Sequence, residues 1–320
     1  MKGDPFISVI IPLFNKRNTV ARAIVSVLNQ TMQDFDLVVV DDGSTDGSAD
    51  IVNSYTDPRL RVVTQANLGV SAARNRGVDL AKADYVCFLD ADDEWDADFL
   101  KRVGAMISFE PCAAIYSTRF NIVNRAGRIQ IGTLALSDRH FGVVPDFVDA
   151  YRHSQSLVCS SSVCVRKDAL FAVGGFPEAA SVGEDVTVWL LLSFVGRAVF
   201  DARVSSSVHQ DAANRTVDRK GVSCPYFLVY FLDGDGKIKL LESSSLRSFV
   251  SHYCIVYSAE AVIRGNRSLA QWYAGRLWEH DKMSSIACAK IGLTPRWVIE
   301  FVKKARTGIA SMRWKQSSLR

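Results

Sequence analysis

Along the first hundred residues, short β-branched runs alternate with stretches in which apolar side chains recur every three or four positions. Residues 8–11, 37–40, 60–63 and 85–89 read as strands. Between the first two, Asn18 predicts a cap ahead of Val20, Ile24, Val27 and Leu28 at helical spacing. A second capped start follows residues 44–46, with Ile51, Val52 and Tyr55 facing inward, and a third helix is predicted over 70–81. This alternation predicts an α/β domain, a sheet flanked by helices, and in such sheets ligands gather where strands end. Beyond residue 110 the pattern loosens, with strands predicted at 113–117, 161–165 and 198–205 and a helix over 141–153. From about residue 245 it becomes almost wholly helical (246–264, 268–291 and 295–314), a C-terminal helical appendage punctuated at Gly265-Asn266 and at 292–295.

At 320 residues, 48% apolar and 22% charged, the chain is too apolar and too evenly mixed for a disordered or fibrous protein. Its longest apolar candidate, 189–195, is broken by Gly196 and Arg197 and falls short of the ~18–20 residues that cross a bilayer. With no secretory pattern ahead of the first strand, the cytoplasm is the expected location. Seven cysteines without a CxxC pair read as reduced thiols rather than a disulfide frame or zinc site.

The net charge of +4 is unevenly placed: from Arg296 onward seven Lys or Arg face one Glu, leaving 31 basic against 33 acidic residues elsewhere. Apolar Trp297, Ile299, Phe301 and Trp314 lie among those basic residues. That mixture suits peripheral contact with an anionic membrane surface at the inner face of the plasma membrane. A solvated terminal helix, or one packed on the domain or on a second subunit of an oligomer, fits the same pattern. Nucleic acid is not an expected partner, because the basic residues lack an interleaved aromatic platform.

The candidate chemistry sits after the strands. The first runs into Pro12-Leu13-Phe14-Asn15, able to hold a base or simply to turn the chain. The second ends in Asp41-Asp42-Gly43-Ser44, a carboxylate pair that needs a donor or cation beside it, with Ser44 or Thr45 as a helix cap. The third leads to Asn67-Leu68-Gly69 and a helix carrying Arg74, a candidate phosphate or base contact or else an ion-pair member. The fourth ends in Asp90-Ala91-Asp92-Asp93-Glu94-Trp95, a charge density that suits divalent Mg²⁺ or Mn²⁺ sharing diphosphate oxygens, or a solvated acidic loop. Trp95 and Lys101 stand where a calcium EF-hand needs Gly and Glu. Downstream, Gly183-Glu184-Asp185 delivers two carboxylates to the start of an apolar helix, where the dipole favours an ionised base; Asp185 as a helix cap is the plainer reading. His209 follows the next strand.

The strings SVIIPLFNK, LVVVDDGSTDGS, ANLGVSAARN and YVCFLDADDEW, in this order, resemble the family-2 nucleotide-sugar glycosyltransferases of the GT-A fold, over roughly residues 7–210. The resemblance implies a Rossmann-like mixed sheet with residues 1–110 as a nucleotide-sugar-binding half, 111–225 as an acceptor-binding and catalytic half, and 226–320 as the helical appendage. It implies that Pro12, Phe14, Asn15, Asp42 and Arg74 surround a uracil, supported by Asp41 and Asn67. Asp90-Ala91-Asp92 matches the DXD motif, so Asp92 would bind the divalent cation, Asp90 would meet the ribose or a basic residue, and Asp93 would stand beside them. Asp185 would be the base, Glu184 would bind or orient the acceptor, and His209 would lie near the metal or diphosphate.

The implied reaction is metal-dependent transfer of a hexosyl group, with inversion, from a nucleotide-diphosphate sugar such as a UDP-sugar to a glycan, lipid-linked or protein acceptor in polysaccharide or glycoconjugate assembly. A nucleotide-sugar-binding protein without transfer is the alternative. An aspartyl-phosphate phosphatase fits worse, because its motif follows the first strand and takes Thr or Val where Asp93 stands.

Overall fold

A computed structural model describes residues 5–212 and 224–300. The chain divides into two compact units, Met1–Arg219 and Lys220–Arg320.

In the first unit the strands are β1 (Ile7–Leu13), β2 (Phe35–Asp41), β3 (Leu60–Thr64), β4 (Tyr85–Phe88), β5 (Glu94–Trp95), β6 (Ile115–Val123), β7 (Ile129–Ile131), β8 (Phe141–Val143), β9 (Val163–Arg166) and β10 (Ala198–His209). The helices are α1 (Val20–Leu28), α2 (Ser48–Asn53), α3 (Val70–Leu80), α4 (Phe99–Phe109), α5 (Phe147–His153), α6 (Lys167–Ala172) and α7 (Glu184–Val195). The strands form one sheet in the order β3-β2-β1-β4-β9-β6-β10-β5, with β7 beside β6 and β8 beside β10. Strands β1 to β4 run parallel, whereas β9 is antiparallel to both neighbours, so the sheet is mixed.

Every residue of β1 and β2 is buried, as expected of central parallel strands covered on both faces. Alternation along β1 divides the core. Ile7, Val9, Ile11 and Leu13 pack with Ile24 and Val27 of α1 and Leu100 and Val103 of α4. Ile10 turns to the other face, with Phe88, Val188, Trp189 and Leu192. The polar intruder in β1, Ser8, is satisfied: it donates to Asp36 Oδ1 at 2.5 Å and accepts from Ala83 N–H at 3.0 Å.

Several local expectations differ from the structure. Asn18 does not cap α1: the N-cap is Thr19, and the Lys16 carbonyl takes the first amides. Neither Ser44 nor Thr45 caps α2, whose N-cap is Gly47 at φ +86°, a left-handed conformation that glycine adopts freely. The helix expected over 141–153 is strand β8 followed by the shorter α5, because Asp146 caps at Asp149 N–H and starts the helix there. Strands β6 and β10 run several residues beyond their predicted ends, pairing with each other to Val123 and His209.

The second unit contains α8 (Tyr226–Asp233), α9 (Lys237–Glu242), α10 (Ser244–Ile263), α11 (Arg267–Leu277) and α12 (Lys282–Leu293). Helix begins earlier than predicted because Phe227, Leu228, Phe231 and Leu232 are buried in this unit's own core. The single helix predicted over 268–291 is two, since Asp281 accepts from Ser284 N–H and starts α12 afresh. Among the described residues no helix is long and apolar enough to cross a membrane. Most of the basic tail, from residue 301 on, lies outside the described residues.

Helix α3 lies close on β1 because Gly77 has no side chain: a Cβ there would come within 2.4 Å of Ile10 Cγ2. Gly77→Val should therefore lower stability by about 1–3 kcal/mol through overpacking. Urea unfolding would show this as a lower midpoint with an unchanged slope.

Candidate functional site

The ends of β1 and β2 are tied together by Asn15, whose φ of +52° is the one left-handed value outside glycine among the described residues. Its N–H donates to Ser44 Oγ at 3.0 Å, and its Oδ1 accepts from Thr45 N–H at 2.8 Å. Neighbouring Phe14 stays exposed, as do Leu68 and Val70. Pro12 is buried within β1, and Asn67 is exposed in the loop after β3.

The paired carboxylates after β2 are buried and occupied. Asp41 accepts from Ser44 N–H at 3.1 Å. Asp42 accepts from Gln65 Nε2 at 2.9 Å, Leu68 N–H at 2.9 Å and Gly69 N–H at 2.8 Å, which fastens the β3–α3 loop. An ionised carboxylate offers about four acceptor positions, so one remains open on Asp42.

Arg74 projects from α3 and is 3% exposed. It donates to Asp90 Oδ1 at 2.9 Å and to Glu184 Oε1 at 3.0 Å, and lies 5.2 Å from the centre of the Phe176 ring. Phe176 packs edge-on against Phe88 and Trp189, so the guanidinium rests on an aromatic floor. Burial alone would lower the Arg74 pKa, yet Asp90, Glu184 and Asp185 raise it: the cation is locked in its charged form. One group thus joins the acidic loop after β4 to the start of α7.

Asn75, the next residue of α3, brings that start within reach. Its Oδ1 accepts from Phe176 N–H at 2.8 Å and its Nδ2 donates to the Phe176 carbonyl at 2.9 Å. Gly183, at φ +80°, then caps α7 and sets Glu184 and Asp185 in its first turn. Asp185 accepts from Val186 N–H at 2.7 Å. Burial pushes its pKa up to about 6, with Glu184 adding to the rise and Arg74 opposing it. The expectation that the helix dipole would favour ionisation is outweighed here by desolvation and a like-charged neighbour.

In the acidic loop each carboxylate has its own compensation. Asp90 has Arg74, while Asp92 Oδ2 accepts from Lys16 Nζ at 2.7 Å. Ala91 is buried between them. Asp93 is 3% exposed, accepting from Ser161 Oγ at 2.5 Å and from His209 N–H at 2.8 Å. Burial raises its pKa well above the ordinary carboxylate value, and Asp90 and Asp92 add to the rise. The same Ser161 hydroxyl accepts from Asp90 N–H at 3.1 Å. His209 Nε2 lies 2.8 Å from Glu94 Oε1. Arg22 completes the corner, pairing with Asp211 at 3.0 Å and donating to the Asp92 carbonyl.

The arrangement therefore brings Arg74, Asp90, Glu184 and Asp185 together, and sets His209 beside the acidic loop. Lys16, Arg22, Asn75 and Ser161 were not anticipated as parts of the site. Lys16 stands inside the string SVIIPLFNK, so it was visible there, whereas Ser161 gave no signal in a run of serines. Among the described residues no three His, Cys, Asp or Glu side chains are grouped as a metal cage. The donor chemistry still fits a hard cation, since Asp92 Oδ1 has no hydrogen-bond donor among the described residues and Mg²⁺ or Mn²⁺ needs only one or two carboxylates when phosphate oxygens complete its shell.

Asp93 titrates higher in the folded chain than unfolded, so its contribution to stability is full below about pH 4 and is lost as pH rises towards its folded pKa. Asp93→Asn removes that dependence. Its unfolding free energy, measured by urea titration from pH 4 to 8, should gain on the wild type as pH rises. Ser161→Ala, which leaves the buried Asp93 carboxyl short of a donor, should cost about 1–3 kcal/mol in the same measurement.

Residues 8–157 match the family profile of Glycosyl transferase family 2. The uncharacterized glycosyltransferase YibD of Escherichia coli K12 is 43% identical over 96 residues, 29% of this chain and 28% of that protein. The amylovoran biosynthesis glycosyltransferase AmsB of Erwinia amylovora is 38% identical over 138 residues, 42% of this chain and 45% of that protein. The matched stretches span less than half the length of these curated relatives. Among solved structures, S. aureus TarS 1-349 in complex with UDP-GlcNAc is similar with a TM-score of 0.68 at 19% identity, covering 94% of this chain and 92% of that one. The mixed sheet and its flanking helices are the GT-A fold. Residues 8–157 thus carry a glycosyltransferase family 2 domain.

Proposed function

We propose that the protein transfers a sugar from a nucleotide-diphosphate sugar, a UDP-sugar, to an acceptor hydroxyl with inversion at the anomeric carbon. The observation that carries this reading is the Arg74 bridge, which sets the DXD loop after β4 and the Glu184-Asp185 pair of α7 around one point. A similar fold binds UDP-GlcNAc in TarS, and the relative AmsB is named for amylovoran biosynthesis. Both favour a nucleotide-sugar donor and a place in cell-surface glycan or glycoconjugate assembly. Residues 1–110 would supply the donor half and 111–225 the acceptor half.

The roles follow from the chemistry of each group. Phe14, with its exposed ring, and the open acceptor position on Asp42 suit a pyrimidine face and its imide N–H. Pro12, Asn15, Asp41 and Asn67 shape and hold that pocket, and Asp90 meets the ribose while held by Arg74. Asp92 and His209 would hold a divalent cation, Mn²⁺ or Mg²⁺, whose chemistry when bound is to neutralise the departing diphosphate. Asp185 takes the acceptor proton. A base with a pKa near 6 is ionised at neutral pH yet still basic enough to accept a proton in the transition state. Glu184, fixed by Arg74, orients the acceptor.

A glycan, lipid-linked or protein acceptor fits equally. The basic tail suits peripheral contact with an anionic membrane.

Asp185→Asn should lower kcat by about 10²–10⁴-fold with little change in nucleotide affinity. A protein that only binds nucleotide-sugars would show no metal-dependent release of UDP in the wild type, across a panel of donors with and without acceptors. For the free enzyme, kcat/KM should be level above about pH 6 and fall tenfold per unit below it as Asp185 is protonated. A profile still level at pH 5 would remove Asp185 from this role.

A further inference from the structure

Two organic cations guard the DXD loop, and they are held very differently. Arg74 is fully enclosed and gripped by two carboxylates. Among the described residues Lys16 has a single anionic partner, Asp92, at 2.7 Å, and its side chain keeps 15% of its surface in solvent. The Lys16 backbone is anchored: its N–H donates to Ser48 Oγ at 2.8 Å and its carbonyl accepts from Thr19 and Val20 at 3.0 and 2.9 Å. Left-handed Asn15 precedes it, itself bonded to Ser44 and Thr45. The loop therefore aims a flexible four-carbon stem, tipped by a compact point charge, at the Asp92 carboxylate. No other described cation competes for that seat, because Arg22 reaches only the Asp92 carbonyl and is paired with Asp211.

We propose that Lys16 is a placeholder cation on Asp92: its ammonium occupies the charge position of the divalent ion, and the two exclude one another. This rests on the reading of Asp92 as the metal-holding carboxylate. A dication held by the same carboxylate would repel the ammonium on Oδ2, and the Lys16 stem would have to swing away to relieve that repulsion. The free enzyme consequently binds the ion weakly. Uptake becomes favourable when a diphosphate arrives with the ion, because the added negative charge gives the released ammonium a new counter-charge. Lys16 thereby couples metal binding to nucleotide binding and keeps the acidic loop neutralised between turnovers.

The test is Mn²⁺ affinity, read from the electron paramagnetic resonance signal of free aqueous Mn²⁺, for the whole chain with and without UDP. Without UDP, Lys16→Met should bind Mn²⁺ about tenfold more tightly than wild type, while Lys16→Arg stays weak; with UDP the gap should narrow. Lys16→Gln provides the same comparison should the Met variant not fold. Equal Mn²⁺ affinity of wild type and the neutral variants, in a protein that does bind Mn²⁺ with UDP, would overturn the placeholder role while leaving the metal reading intact. No Mn²⁺ binding by any form, with or without UDP, would overturn the assignment of Asp92 as the metal-holding residue, and the placeholder with it.

Discussion

A guanidinium buried against an aromatic ring and shared by two carboxylates is the interaction on which the rest of the site depends. Asp90 leaves the sheet after β4, and Glu184 opens α7 more than ninety residues later. Packing of Phe88 on Phe176 and Trp189 brings the two segments alongside one another. Arg74 then joins their carboxylates, because a buried cation left without partners would cost far more than the ordering of two side chains. The aromatic group of Phe88, Phe176 and Trp189 beneath it excludes water and fixes its height above the core. The same field governs Asp185: Arg74 limits a rise in pKa that burial and Glu184 would otherwise carry further.

Elsewhere acidity is tolerated in the same manner, by giving each carboxylate a designated partner. Asp92 has Lys16, Asp36 has Arg61 and Ser8, and Asp42 has the amides of Leu68 and Gly69. Among the described residues Asp93 has only neutral donors, and burial, with Asp90 and Asp92 beside it, raises its pKa well above the ordinary carboxylate value. The acidic loop is therefore a graded set: among the described residues one carboxylate is held by an arginine, one by a lysine, and one is buried without a cation. Charge remains beside the two cations and is suppressed at Asp93.

Much of this was legible in the chain. Continuous β-branched runs marked β1 and β2 because strands covered on both faces need no polar alternation. The residues after each strand marked the candidate site because the ends of the parallel strands β1 to β4 line one edge of the sheet. Less legible were contacts made across long separations. Arg74 was recognised as a candidate contact, but the spacing of residues 74, 90 and 184 contains no sign that one side chain bridges the other two. Lys16 stood within the string SVIIPLFNK, but nothing in the sequence shows that it reaches Asp92, 76 residues further on. The pKa of Asp185 also ran against expectation, since dipole arguments are local whereas desolvation depends on the whole packed surrounding. In the second unit, caps at Asn266 and Asp281 decided where helices began, and Asp281 was overlooked within a continuous helical pattern.

The most direct measurement of the central claim is a ¹³C carboxyl NMR titration of Asp185, in the wild type and in Arg74→Gln. The account predicts a wild-type midpoint of about 6 that moves upward once the guanidinium is gone. An Asp185 midpoint that is unchanged or lower in the variant would contradict it.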